Sequence, residues 1–190
     1  MPVSPEDLKL GTKAPRFNLP GTDGKNYDLN DFKDKKVLCV IFMCNHCPYV
    51  VAVQQRINNI AEDYSNKSFA LVGISSNDPE TYPEDSFEEM KIRAKEQGYI
   101  FPYLFDETQE IARAYDAVCT PDIFLYDENR ILHYRGRIDD NWKDESAVTK
   151  KELRMAIDAL LDGKDIEFDI VPSMGCSIKW RSLSGSEGSH

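Results

Sequence analysis

The stretch Lys36-Val37-Leu38-Cys39-Val40-Ile41-Phe42-Met43-Cys44-Asn45-His46-Cys47-Pro48 decides the fold. From Val37 to Met43 it is continuously apolar, the pattern of a central strand covered on both faces. From about Tyr49 to Tyr64 the apolar residues Val50, Val53, Ile57, Ile60, Ala61 and Tyr64 recur at helical spacing. Two cysteines three positions apart therefore stand where a buried strand turns into a helix. Pro48 suits the first helical turn, where a missing N–H costs nothing.

That placement has a chemical logic. The strand end holds a sulfur at the surface, and the helix start aims unpaired N–H groups and its positive dipole end at it. Both favour the thiolate, which is the attacking species in disulfide exchange. The expected roles are Cys44 as nucleophile and Cys47, one turn further in, as the resolving thiol. His46, when protonated, would favour the neighbouring thiolate and make the disulfide more oxidising. The other readings of the pair are a structural role or half of a zinc site. Zinc takes about four ligands, and no second CxxC or histidine cluster accompanies this one; His133 falls on a strand and His190 in the tail. A c-type haem would need histidine directly after the second cysteine, where Pro48 stands.

Working outward, Pro20-Gly21-Thr22-Asp23-Gly24 is a turn cluster that predicts a short N-terminal hairpin. Phe69 to Ser75 predicts a second buried strand, and Glu84 to Gln97 a helix stopped by Gly98. A short strand over Phe101 to Phe105 and a short helix over Thr108 to Tyr115 follow. Ile123 to Asp127 and Ile131 to Arg137 flank Glu128-Asn129 as an antiparallel pair, and Thr149 to Leu161 is the last helix, closed by Gly163. This order predicts an α/β fold: a central mixed sheet with helices on both faces, an N-terminal hairpin and a C-terminal extension. Val118-Cys119-Thr120-Pro121 precedes the fourth main strand. Its proline reads equally as an ordinary strand start or as a cis bond that turns the Thr120 backbone outward to pair with a bound substrate chain.

The chain has 190 residues, enough for one core. The expected division is a domain over 1–163, an extension over 164–183 docked on it, and a polar tail over 184–190 that is disordered or an artificial addition. A net charge of −10 and the lack of a basic stripe argue against nucleic-acid binding. The longest apolar run is too short to span a bilayer. Met1 to Lys9 has no basic segment leading into an apolar stretch, and five scattered cysteines do not make a secreted disulfide framework. Cytoplasm is the expected compartment, with no cofactor. Cys39 reads as a buried small hydrophobe, and Cys119 as a packed thiol or an additional redox thiol. The segment from Ile166 to Trp180 is too apolar for a solvated tail; it either brings Cys176 to the active centre or staples apolar surface through Ile178 and Trp180.

At these residues the chain resembles the thioredoxin-like superfamily, and within it the peroxiredoxin-like branch of the alkyl hydroperoxide reductase/thiol-specific antioxidant (AhpC/TSA) family. The likeness runs from about Leu10 to Leu161. It begins with Gly11-Thr12-Lys13-Ala14-Pro15-Arg16-Phe17-Asn18-Leu19 and continues through Asp23-Gly24-Lys25, the strand-CxxC-helix unit, Thr120-Pro121 and Gly136. The ending Pro172-Ser173-Met174-Gly175-Cys176-Ser177-Ile178-Lys179-Trp180 is similar to that of related proteins. The resemblance implies a thioredoxin-like fold, Pro121 as the cis-proline with Thr120 beside it in substrate binding, and Cys47-Pro48 at the place of a peroxidatic cysteine. Three peroxiredoxin groups are replaced: the threonine three before that cysteine is Cys44, the proline seven before is Val40, and the arginine gives way to the Thr120-Pro121 element. The buried carboxylate of thioredoxin, six before Cys44, is Leu38, which leaves His46 as the candidate base.

The expected function is thiol–disulfide oxidoreduction by Cys44 and Cys47 on a protein or small-molecule disulfide, with recycling by a thioredoxin- or glutathione-type reductant. One alternative is a thiol peroxidase using Cys47. The other is a non-catalytic soft-metal carrier that adds His133 to the two cysteines.

Overall fold

The computed structural model describes residues 1–182, so the 184–190 tail lies outside the described residues. In chain order the elements begin with β1 (Asn18–Pro20), β2 (Asn26–Asp28), β3 (Val37–Phe42), α1 (Pro48–Asp63), β4 (Phe69–Ser75) and α2 (Phe87–Glu96). They continue with β5 (Tyr103–Phe105), α3 (Glu110–Ala114), β6 (Cys119–Thr120), β7 (Asp122–Tyr126), β8 (Leu132–Arg135), α4 (Glu152–Leu161) and β9 (Cys176–Ser177). The central sheet has the order β5-β4-β3-β7-β8. It is mixed: β3 runs parallel to β4 and antiparallel to β7. Among the described residues no helix is long and apolar enough to cross a membrane.

The period of two along β3 builds both halves of the core. Val37, Cys39, Ile41 and Met43 face α1, α2 and α4 through Val53, Ile57, Met90 and Ile157. Leu38, Val40 and Phe42 face the other way, against Phe17, Phe32, Ala112 and Tyr115. Every β3 side chain is fully buried. Cys39 is therefore a packing thiol, and burial pushes its ionisation far above the ordinary thiol range.

Three helix starts differ from the periodicity, each for a local reason. Pro83–Asp85 forms a 3-10 turn, and Ser86 then caps α2 by accepting from the Glu89 N–H at 3.2 Å. Gln109 adopts φ 65° and delays α3. Thr149 is held by the Asp140 carboxylate through its N–H at 2.8 Å, so α4 starts three residues later. Gly98, at φ 61°, supplies the left-handed residue that ends α2.

After α4 the chain returns across the domain. Residues 171–180, here called the strap, are fixed along their length. The Arg137 N–H donates to Val171 O at 3.0 Å, and Ser173 Oγ to Gly136 O at 2.8 Å. Val3 and Gly175 exchange backbone hydrogen bonds of 2.8 and 3.0 Å. Ile178 is buried in the second core half, and Lys179 O accepts from the Asp78 N–H at 2.8 Å and Gln109 Nε2 at 2.9 Å. The Arg113 guanidinium lies 4.3 Å above the Trp180 ring.

Candidate active site

Cys44 follows β3, and Cys47 is the N-cap of α1, its carbonyl accepting from the Val50 and Val51 N–H groups at 3.0 and 2.9 Å. Pro48 occupies the first helical position. Thr120-Pro121 is a cis peptide, and it lies against both sulfurs. Thr120 Oγ1 is 3.6 Å from Cys44 Sγ, and Cys47 Sγ is 3.2 Å from Thr120 O, to which the protonated thiol donates. Cys44 and Cys47 are 2% and 0% exposed, so neither sulfur stands open at the surface in this state.

Charge is divided unequally between them. Cys47 is held far below the ordinary thiol range, first by the hydrogen bond from the Cys44 thiol. Burial opposes this, and the side chains of Cys176 and Thr120 and the Val50 N–H support it. Cys44 is pushed up by the same sharing of a proton with Cys47, then by burial and by the Asp85 carboxylate. The helix start thus acts on Cys47, because Cys47 rather than Cys44 is the capping residue. The expected thiolate on Cys44 and the cap position on Cys47 thus fall on different sulfurs.

Asp85 was not legible as a site residue. It is fully buried, accepts hydrogen bonds from the Asn45 N–H at 2.8 Å and Asn77 Nδ2 at 2.8 Å, and has His46 Nδ1 at 2.5 Å as a close contact without hydrogen-bond geometry. His46 also stacks on Tyr82, with ring centroids 5.4 Å apart. The positive charge that His46 could offer a thiolate is therefore met by a carboxylate. Asn45 is fixed in turn by Tyr103 Oη at 2.9 Å and Glu84 O at 2.9 Å. Cys44, His46 and Asp85 place their ligand atoms within 4.8 Å of one another. This is a mixed sulfur, nitrogen and oxygen set that could hold a zinc-like ion, although Asp85 already accepts two hydrogen bonds. It equally places a His–Asp pair beside the Cys44 sulfur.

Asp85→Asn tests the second use. Loss of the carboxylate is expected to slow proton removal from Cys44 by roughly 10²-fold at neutral pH. A mixed disulfide on Cys47 should then persist in mass spectra and resolve faster as pH rises. An unchanged resolution rate would remove Asp85 from the mechanism.

The other expected site residues fall as follows. His133 Nε2 bonds Asp127 Oδ2 at 2.7 Å on the β7–β8 hairpin, which corrects its proposed place as a third metal ligand with the cysteines. Cys119 is fully buried, its thiol donates to Pro121 O at 3.5 Å, and burial raises its ionisation strongly. The Thr120 backbone does not face open solvent: β6 pairs antiparallel with β9, Thr120 opposite Cys176. Beside Pro121 lies a cavity of about 310 Å³ with mostly apolar walls, including Tyr49, Ile123, Trp142, Pro172 and Met174.

The Redoxin family profile matches residues 9–153. The chain belongs to the Redoxin family. A Mycobacterium tuberculosis protein with a provisional peroxiredoxin name is 28% identical to this redoxin over 110 residues, 58% of this chain and 65% of that protein. The matched region thus spans under two thirds of that relative. The thiol-disulfide oxidoreductase ResA of Bacillus cereus is 24% identical over 124 residues, 65% of this chain and 67% of ResA. A crystal structure of an uncharacterised conserved protein from Geobacillus kaustophilus is 46% identical, covers 96% of this redoxin and 97% of that chain, and superposes with a TM-score of 0.91. The thioredoxin-like fold expected from the sequence is the fold observed.

Proposed function

We propose that this redoxin is a thiol–disulfide oxidoreductase whose dithiol is Cys44–Cys47, with Cys47 as the attacking sulfur and Cys44 as the resolving one. The observation that carries this is geometric: Cys47 is the N-cap of α1, whose helix start favours a thiolate there, while the Cys44 sulfur lies within 4.8 Å of His46 and the buried Asp85 carboxylate, which disfavours charge on it. Cys47 attacks a substrate sulfur and expels the other as a thiolate. Cys44, giving its proton to the His46–Asp85 pair, then attacks Cys47 and releases the second thiol. Thr120 Oγ1 positions Cys44, and the apolar recess beside Pro121 accepts the flank of the substrate. A thioredoxin- or glutathione-type thiol in the cytoplasm would return the dithiol.

Stopped-flow mixing of the reduced protein with glutathione disulfide and with hydrogen peroxide tests this. Expected is stoichiometric conversion to a Cys44–Cys47 disulfide by glutathione disulfide, at least tenfold faster than a free thiol of ordinary acidity. A peroxide rate far above that of free cysteine, with a slow disulfide reaction, would favour a peroxidase using the same Cys47 thiolate. Against that reading, the hydrogen-bond partner of Cys47 Sγ is the Thr120 carbonyl oxygen, and among the described residues no guanidinium bonds it. Arg135 is committed to Asp122 instead.

A further inference from the structure

The strap lies where a substrate chain would lie. The Thr120 edge, beside the cis-proline and both active sulfurs, is occupied by residues 176–177 in antiparallel register. The approach is unusually close. A Cβ on Gly175 would sit 2.0 Å from Thr120 O and 2.6 Å from Thr120 C, so only glycine lets the strap seat. Seated, it packs Cys176 against the core half that contains Cys44 and Cys47, opposite Thr120, whose carbonyl oxygen lies 3.2 Å from Cys47 Sγ. Cys176 is the only half-buried sulfur of the three; the other two are enclosed.

We propose that Cys176 is a third redox thiol, held at the substrate-sulfur position, which takes over the oxidised bond as a Cys47–Cys176 disulfide and presents it to an external thiol reductant. This rests on the Cys44–Cys47 dithiol assigned above. The transfer is an isoelectronic exchange. The Cys176 sulfur attacks Cys47, the Cys44–Cys47 bond breaks as Cys47–Cys176 forms, and the proton lost by Cys176 is taken up by Cys44. A reductant thiolate then attacks the half-exposed Cys176 sulfur, forming a reductant–Cys176 disulfide and expelling Cys47 as a thiolate. A second reductant thiol frees Cys176, so two electrons enter the protein and one reductant disulfide leaves. Two features of the site suit this direction. Cys47 is a stabilised leaving group, and Cys176, pushed up to about 11 by burial and by its contact with Cys47, is a poor one.

Disulfide mapping and reduction kinetics test it on three variants of the full chain. Cys44→Ser, oxidised with diamide, is expected to give an intramolecular Cys47–Cys176 bond as its main product. A diamide-oxidised protein that instead yields only intermolecular Cys47 dimers overturns the proposal. Cys176→Ser is expected still to form Cys44–Cys47, but to be reduced by glutathione at least tenfold more slowly than the parent. Reduction at the parental rate overturns the proposal. Failure of Cys176→Ser to form Cys44–Cys47 at all would strike the dithiol assignment instead, which keeps the two failures apart. Gly175→Ala keeps every thiol and unseats the strap. It should match the slow reduction of Cys176→Ser and, combined with Cys44→Ser, lose the Cys47–Cys176 bond; parental behaviour in both assays overturns the proposal.

Discussion

Cys47→Ser is expected to abolish disulfide exchange, whereas Cys44→Ser should retain the first attack and, once Cys176 is also replaced by serine, accumulate mixed disulfides on Cys47. The reason is electrostatic. Asp85 disfavours a negative charge on Cys44, while the Cys44 thiol, Cys176, Thr120 and the Val50 N–H favour it on Cys47. The sign carries into pH dependence. A depressed folded-state value means that the Cys47 thiolate persists as pH falls through the range where a free thiol, near about 8.5, becomes protonated and loses about tenfold in rate per unit. Iodoacetamide alkylation of Cys47 in the parent should thus be nearly flat between about pH 6 and 9, and fall only as pH drops through the depressed value. In Cys44→Ser the largest stabilising contact is weakened, so the same curve should move towards neutral pH. A fast thiol that survives Cys47→Ser and vanishes in Cys44→Ser would return the nucleophile to Cys44.

The second large effect lies in the fold. Arg135 and Asp122 are 1% and 0% exposed and are joined by bonds of 3.0 Å from Nε and 2.7 Å from Nη2. The guanidinium also donates to the carbonyls of Asp116 at 2.9 Å and Asp7 at 3.2 Å, which ties the chain before β6 and the N-terminal segment to β8. Arg135→Met leaves the Asp122 carboxylate buried with its Val118 N–H contact at 3.0 Å but without its cation. A loss of about 3–5 kcal/mol is expected, which for this size lowers Tm by roughly 10 °C. Because Asp122 opens β7 directly after Pro121, the disulfide exchange rate should fall with it. Thermal melts that coincide with the parent would show that the pair contributes nothing net.

How far the sequence alone reaches depends on where each signal is stored. The β3-to-α1 junction was legible because period and chemistry coincide there: a buried strand, two cysteines and a helix-starting proline within thirteen adjacent residues of the printed sequence. The order of strands and helices followed for the same reason. Helix starts were less legible, because Ser86, Gln109 and Asp140 act through a cap, a left-handed backbone and a distant carboxylate. Asp85 was hidden altogether. It reads as an acidic residue in a helix's first turn, and only the turn at Pro83–Asp85 folds it inward beneath Asn45 and His46. Pro48 already pointed to the first helical turn, and the structure makes Cys47, the residue before it, the cap of α1. The occupied Thr120 edge was likewise out of reach, because its partner lies more than fifty residues further along the chain.

The strand that leads into Cys44 has no exposed side chain, and Cys47 caps α1, so two of the sulfurs are set by the β3–α1 junction. The third arrives on the strap, which is held by hydrogen bonds, the buried Ile178 and the close Gly175 contact rather than by the sheet. In kinetic terms the site has one thiol at a fixed effective molarity and one whose effective molarity depends on occupancy. While the strap is seated, Cys176 competes at Cys47 as an intramolecular group, ahead of any dissolved thiol. Once lifted as a flexible tail it falls to about the millimolar range, where small cellular thiols compete on equal terms. A strap that lifted at Gly175 would shift the partition between internal and external exchange at Cys47 without any change in the chemistry of the sulfurs.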